Sequence, residues 1–154
     1  MNEIEGQIGR VSYRLRWELI GHILKLQIRR TGFLNRHWFS FEWRMKDEKE
    51  LRSLQEAISA KKGGRVLPSV FTRFISRLLG IRFIVNLGQV GEKTGAETVT
   101  VYLGSIKGHE VVIFQRKAPG WSGYMEVPRN TFEEMVEQVS YGSLGKPSGV
   151  EREP

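Results

Sequence analysis

The chain carries the same order of elements twice, and this constrains its fold more than anything else in it. From Gly21-His22 a strand-like run leads to Arg29-Arg30, a loop with Gly32, an aromatic strand around Phe41-Glu42-Trp43, and a helix spelled by Leu51, Leu54 and Ile58. From Gly108-His109 the order recurs: a run ending in Arg116-Lys117, a loop with Pro119-Gly120, a strand around Met125-Glu126-Val127, and a helix spelled by Phe132, Met135 and Val139. A unit repeated in this way buries its apolar face against its copy, so the two halves are expected to complete one core.

Periodicity fills in the elements. Val11, Tyr13, Leu15, Trp17 and Leu19 alternate with Ser12, Arg14, Arg16 and Glu18, which predicts a half-buried strand. Leu24, Leu26 and Ile28 predict a second strand, Phe39, Phe41, Trp43 and Met45 a third, and Ile4 to Ile8 is the candidate for a fourth. Asp47 with Glu50 reads as a capping box for a helix over 48–60. Asn130 with Glu133 repeats that pattern for a helix over 131–140. Between the copies, Pro68 and the apolar residues Val70, Phe71, Phe74, Ile75, Leu78 and Leu79 predict a connector helix over 68–79. The expected class is α+β, with one domain over 1–142 made of repeats at about 4–60 and 81–141, and a disordered tail over 143–154.

The charge is +7, from 24 Lys and Arg against 17 acidic residues, which favours a polyanionic partner. Parity places Arg14, Arg16, Lys25, Gln27, Arg29, Trp38, Ser40 and Arg44 on the open face of the first sheet. Aligned copy on copy, it places Arg82, Asn86, Tyr102, Phe114, Arg116 and Tyr124 on the open face of the second, with Lys117 beside them. Rings beside cations suit single-stranded nucleic acid, because bases stack on the rings while Lys and Arg follow the backbone. Trp121 belongs either at a loop tip or against the core edge.

Catalysis finds little footing in the residues. There is no cysteine, Asp47 is the only aspartate, and His22, His37 and His109 lack metal-ligand spacing. Glu42 and Glu126 are the remaining carboxylate pair, and a neighbouring Arg explains each of them more simply. The glycine-bearing segments Gly91–Gly95 and Gly104–Gly108 match no phosphate-loop or dinucleotide fingerprint and read as hairpin turns. No cofactor, metal or membrane partner is expected. A polar, acidic start without a signal-peptide core points to a cytoplasmic or nucleoid-associated protein rather than a secreted one.

The stretch GHEVVIFQRK, a glycine-containing loop and GYMEVPRNTFEEMVEQV, together with the twofold element order, resembles the single-strand binders that include the Whirly proteins, the PUR-repeat proteins and the positive-cofactor transcription coactivators. The resemblance implies two sheets with two packed helices and binding through Lys25, Arg29, Arg116, Lys117 and Tyr124, and the surplus apolar surface of the connector helix adds the expectation of a homodimer or larger assembly. The expected function is non-catalytic binding of single-stranded nucleic acid, DNA ahead of RNA. The alternatives are a protein–protein assembly module of a cellular or viral complex and, behind it, a nucleic-acid-processing enzyme.

Overall fold

Alternating apolar residues fold into two antiparallel meanders, each followed by one helix. The computed structural model describes residues 1–31, 38–47, 49–61, 80–91, 98–118 and 121–139. Strands β1 (Asn2–Ile8), β2 (Val11–Ile20), β3 (Ile23–Thr31) and β4 (Phe39–Arg44) pair in chain order and lead into helix α1 (Glu50–Ala60). Strands β5 (Ile81–Val90), β6 (Thr98–Ile106), β7 (His109–Ala118) and β8 (Trp121–Pro128) pair likewise and lead into helix α2 (Arg129–Val139). The candidate fourth strand of the first half is therefore β1. The expected connector helix 68–79, His37, the tail 143–154 and the Trp121 side chain lie outside the described residues.

Two-residue turns set the registers. Ile20 pairs with Ile23 around Gly21-His22, and Ile106 pairs with His109 around Lys107-Gly108. In the first turn Gly21 carries the positive φ, 63°. In the second, Lys107 at 50° and Gly108 at 83° both do, the pattern of a type I′ hairpin. The two Gly-His pairs are thus not equivalent: Gly21 opens its turn, whereas Gly108 closes its own.

One apolar cluster spans both halves. It takes Leu15, Trp17, Leu24, Leu26, Ile28, Phe41 and Trp43 from the first sheet, and Val99, Val101, Leu103, Val112, Phe114, Met125 and Val127 from the second. Leu51, Leu54 and Ile58 of α1 and Phe132, Met135, Val136 and Val139 of α2 lie at helical spacing and close it. Each fully buried large side chain contributes about 1.5–3 kcal/mol. Gly6 lets β1 come close to α2: a Cβ there would run into Thr131 Oγ1 and lie 3.1 Å from Thr131 Cβ.

The start of α1 differs in detail from the expected capping box. The N-cap is Lys49, whose N–H donates to Asp47 Oδ1 at 2.8 Å. Glu50 reaches back to accept from Lys46 N–H at 3.0 Å and from Trp43 Nε1 at 3.1 Å, and its other oxygen accepts from Gly91 N–H at 3.1 Å. The carboxylate expected only to cap the helix also fastens it to the start of the β5–β6 connection. Helix α2 begins at Arg129, so Asn130 lies inside its first turn rather than capping it.

The second sheet departs from the expected half-buried pattern. Residues 111–115 of β7 are all buried, because the back of this sheet carries its own cluster: Ile8, Tyr13, Ile81, Tyr102, Ile106, Val111 and Ile113, with Val11, Phe83 and Tyr124 against it. Phe114 is fully buried in the main core, 5.3 Å from the Phe41 ring and 5.7 Å from the Phe132 ring. Tyr102 is 5% exposed. Neither belongs to an open face. The two corrections have different causes. Tyr102 keeps the face opposite Val101 and Leu103, but that face is covered by the second cluster. For Phe114, matching Gly108-His109 to Gly21-His22 slips the second copy by one residue, and a one-residue slip exchanges the faces of a strand.

Candidate nucleic-acid interface

The open face of the first sheet holds Arg14, Arg16, Lys25, Gln27, Arg29, Trp38, Ser40 and Arg44 as expected, all of them half-buried or exposed. Strand register arranges them in rows. One row runs Glu3, Arg16, Gln27, Ser40, and the next runs Glu5, Arg14, Arg29. Arg14 and Arg29 stand directly opposite each other, a like-charge pairing that is unfavourable without a compensating anion.

Trp38 lies at the end of this pair of rows. The Arg16 guanidinium carbon is 4.2 Å from its ring centroid and that of Arg29 is 5.1 Å away. Cation–π contacts of this kind contribute about 0.5–1 kcal/mol each where exposed and fix the indole on the surface. Among the described residues Arg29 forms no ion pair with an acid.

Sequence reasoning missed the acids of this face. Glu3 accepts from Arg16 Nε at 2.7 Å and lies 3.4 Å from Arg14 Nη1, and Glu5 lies 3.5 Å from Arg14 Nε. The Arg16 hydrogen bond holds the Glu3 carboxyl below its ordinary range, against the desolvation that opposes it. The signal was present: Glu3 and Glu5 alternate with Ile4 and Gly6, which puts both acids on the arginine side of β1. Farther along, Lys25 stands between Glu18 and Glu42 in register. The basic residues of the face are thus Arg16 and Arg29 against Trp38, Arg14 opposite Arg29, Lys25 between two acids in register, and Arg44 exposed at the far end.

The other expected residues lie elsewhere. Arg116 shares the core-facing side of β7 with Phe114; its guanidinium donates to the Ser40 carbonyl and sits 6.0 Å from the Phe39 ring. Tyr124 is half-buried on the back of the second sheet, with Phe83 at 6.2 Å between ring centroids. Its hydroxyl is enclosed without a hydrogen-bond partner among the described residues. Burial first, and the Glu126 charge second, push its pKa up. Arg82 and Lys117 are exposed on the second sheet, outside the Trp38 cluster.

Glu42 and Glu126 do not form a pair. Glu42 is exposed, whereas Glu126 is 1% exposed and joins the two halves. It accepts from Tyr13 Oη at 2.8 Å, and Arg30 Nη2 bridges its two oxygens at 2.7 and 2.8 Å. Burial opposes the charge of Arg30, and Glu126 outweighs it, so the Arg30 pKa is raised. Tyr13 and Arg30 are themselves cross-strand neighbours on the core side of the first sheet. An arginine at that parity was the legible sign of a buried acidic partner.

Among the described residues no three His, Asp or Glu side chains group as a metal site requires, and no helix is long and apolar enough to cross a membrane. No family model, curated protein or solved structure matches the chain.

Proposed function

We propose that the protein binds single-stranded nucleic acid, DNA ahead of RNA, on the open face of the first sheet and without catalysis. The observation that carries this reading is Trp38 held at the surface by Arg16 and Arg29, with Arg14 directly opposite Arg29. An indole offers a stacking platform to a base, and the two guanidinia beside it, with Arg14 next to them, offer donors to the phosphates. A duplex has no free base faces to place on the ring. The order of four strands and a helix, twice over, supports the same reading, because it is the order that the resemblance to the Whirly and PUR-repeat binders implies.

Relative to the sequence expectation, the binding set contracts. Arg14, Arg16, Arg29 and Trp38 form its centre, with Gln27 and Ser40 as neutral donors and acceptors within reach of base edges. Phe114 and Tyr102 leave it because they are buried.

A polarisation titration with labelled single- and double-stranded oligonucleotides, DNA and RNA, at two salt concentrations tests the reading. Trp38→Ala should weaken single-strand binding by about 1–3 kcal/mol with little change in salt slope. Arg29→Ala should lower the slope by roughly 0.7. Equal binding of duplex and single strand, with folded Trp38→Ala indistinguishable from the parent, would refute it and turn attention to a protein partner on this face.

A further inference from the structure

The acids on β1 bear directly on how such a face takes a ligand. Glu3 touches both Arg14 and Arg16, and Glu5 touches Arg14. All four side chains are at least a third exposed, from 36% for Glu3 and Arg16 to 61% for Glu5. Pairs this exposed are weak and exchangeable. Glu3 and Glu5 are two residues apart on one strand, hence about 6.6–6.8 Å apart along it. That is the order of the distance between successive phosphates of an extended nucleotide chain. Two carboxylates, carried by backbone positions at phosphate-like spacing, therefore already sit against Arg14 and Arg16.

Resting on the single-strand reading above, we infer that Glu3 and Glu5 are internal stand-ins for two phosphates, and that a single strand binds by exchanging with them on Arg14 and Arg16. Arg29, which forms no ion pair among the described residues and feels Glu3 only at longer range, takes the first phosphate with the least competition, and the base beside it stacks on Trp38. The neighbouring phosphate then displaces carboxylate from Arg14 and Arg16. This exchange gives the site two properties. In the free protein the like charges of Arg14 and Arg29 are compensated, so the face stays ordered. In binding, a polyanion gains only its advantage over two carboxylates, which favours a ligand that can also stack and disfavours anions that cannot. The acids thus act as selectivity residues for the same site.

The test compares the parent with Glu3→Gln/Glu5→Gln, using a labelled single-stranded oligothymidylate as probe. Releasing three exposed ion pairs should tighten binding by about 3- to 150-fold at ~0.1 M salt. It should also steepen the salt slope by up to about 1.4, or ~0.7 for each arginine newly free to release a counterion. A second variant, Glu18→Gln/Glu42→Gln, makes the same change in net charge on the same face, flanking Lys25 instead. It should gain much less. Equal gains in the two double variants would show that net charge alone acts and would overturn the exchange. Parent binding with no gain in Glu3→Gln/Glu5→Gln would overturn it as well, while leaving the single-strand reading in place. Absence of binding by all three proteins would sink that reading and this inference together. If the double variant does not fold, the single variants carry the test, and Glu3→Gln should gain more than Glu5→Gln because Glu3 contacts both arginines.

Discussion

Replacing Glu126 by Gln should destabilise the protein by about 2–4 kcal/mol, and the structure says why the effect falls in that range. The substitution keeps volume and removes charge. The carboxylate is 1% exposed and receives Tyr13 and Arg30 from the other half of the chain. A charge-assisted hydrogen bond contributes about 1.5–3 kcal/mol, and breaking a fully buried ion pair costs about 3–5. Two features lower the total. Arg30 is 24% exposed, so water takes up part of what it loses. Gln also retains one oxygen that can accept from either partner. Urea unfolding followed by intrinsic fluorescence should show a lower midpoint with an unchanged m-value. Tyr13→Phe should cost about 1–2 kcal/mol, because it removes one donor and leaves the ion pair. The double variant should lose less than the sum of the two, with a coupling near 1 kcal/mol. If Glu126→Gln lies within ~0.5 kcal/mol of the parent at equal m, the claim that this contact joins the halves is wrong.

Three further outcomes follow from the packing. Tyr13 has its pKa pushed far up by burial and by Glu126, and Tyr102 and Tyr124 are also raised. Their stabilising share is full below pH ~10, the unfolded tyrosine value, and is lost as pH rises above it, for Tyr13 by up to about 1.4 kcal/mol per pH unit and for the other two in the same direction. Alkaline unfolding titrations should therefore be shallower in Tyr13→Phe than in the parent. Gly6→Ala should destabilise by about 1–3 kcal/mol through overpacking against Thr131, and Thr131→Ala should recover part of that in thermal melts. Phe114→Ala should cost about 3–5 kcal/mol of stability as a core cavity, measured by chemical unfolding. A near-neutral result there would return Phe114 to the surface.

What the residues disclosed tracks how each sheet is covered. The first sheet has one wet face, so Tyr13, Leu15 and Trp17 against Arg14 and Arg16 give an unambiguous alternation, and every open-face residue expected there is on it. The second sheet is covered on both faces. Its β7 reads Val111-Val112-Ile113-Phe114 without polar punctuation, and alternation cannot orient such a run. Only the turn geometry does, and the repeated Gly-His pair pointed to the wrong register because Lys107 adopts a positive φ without being glycine. Strand β1 was faint because Gly6 and the paired glutamates lower its apolar content, yet those residues serve α2 packing and the arginines. The partners of Glu126 lie 96 and 113 residues away in the chain, beyond any local pattern.

The core shared between the halves also sets a schedule for the chain as it is made. The first meander is complete at Arg44, but the strand that brings Met125, Glu126 and Val127 starts only at Trp121. At ~5–20 residues per second the ribosome needs on the order of 4–15 s to cover that distance. During that interval Leu15, Trp17, Leu26, Phe41 and Trp43 have first only Leu51, Leu54 and Ile58 of α1 and then the residues of β6 and β7 to pack on, and Tyr13 and Arg30 wait for their carboxylate. The nascent first half is thus an apolar face that stays only partly covered until β8 emerges, so that the rate of synthesis through residues 45–120 sets how long it waits.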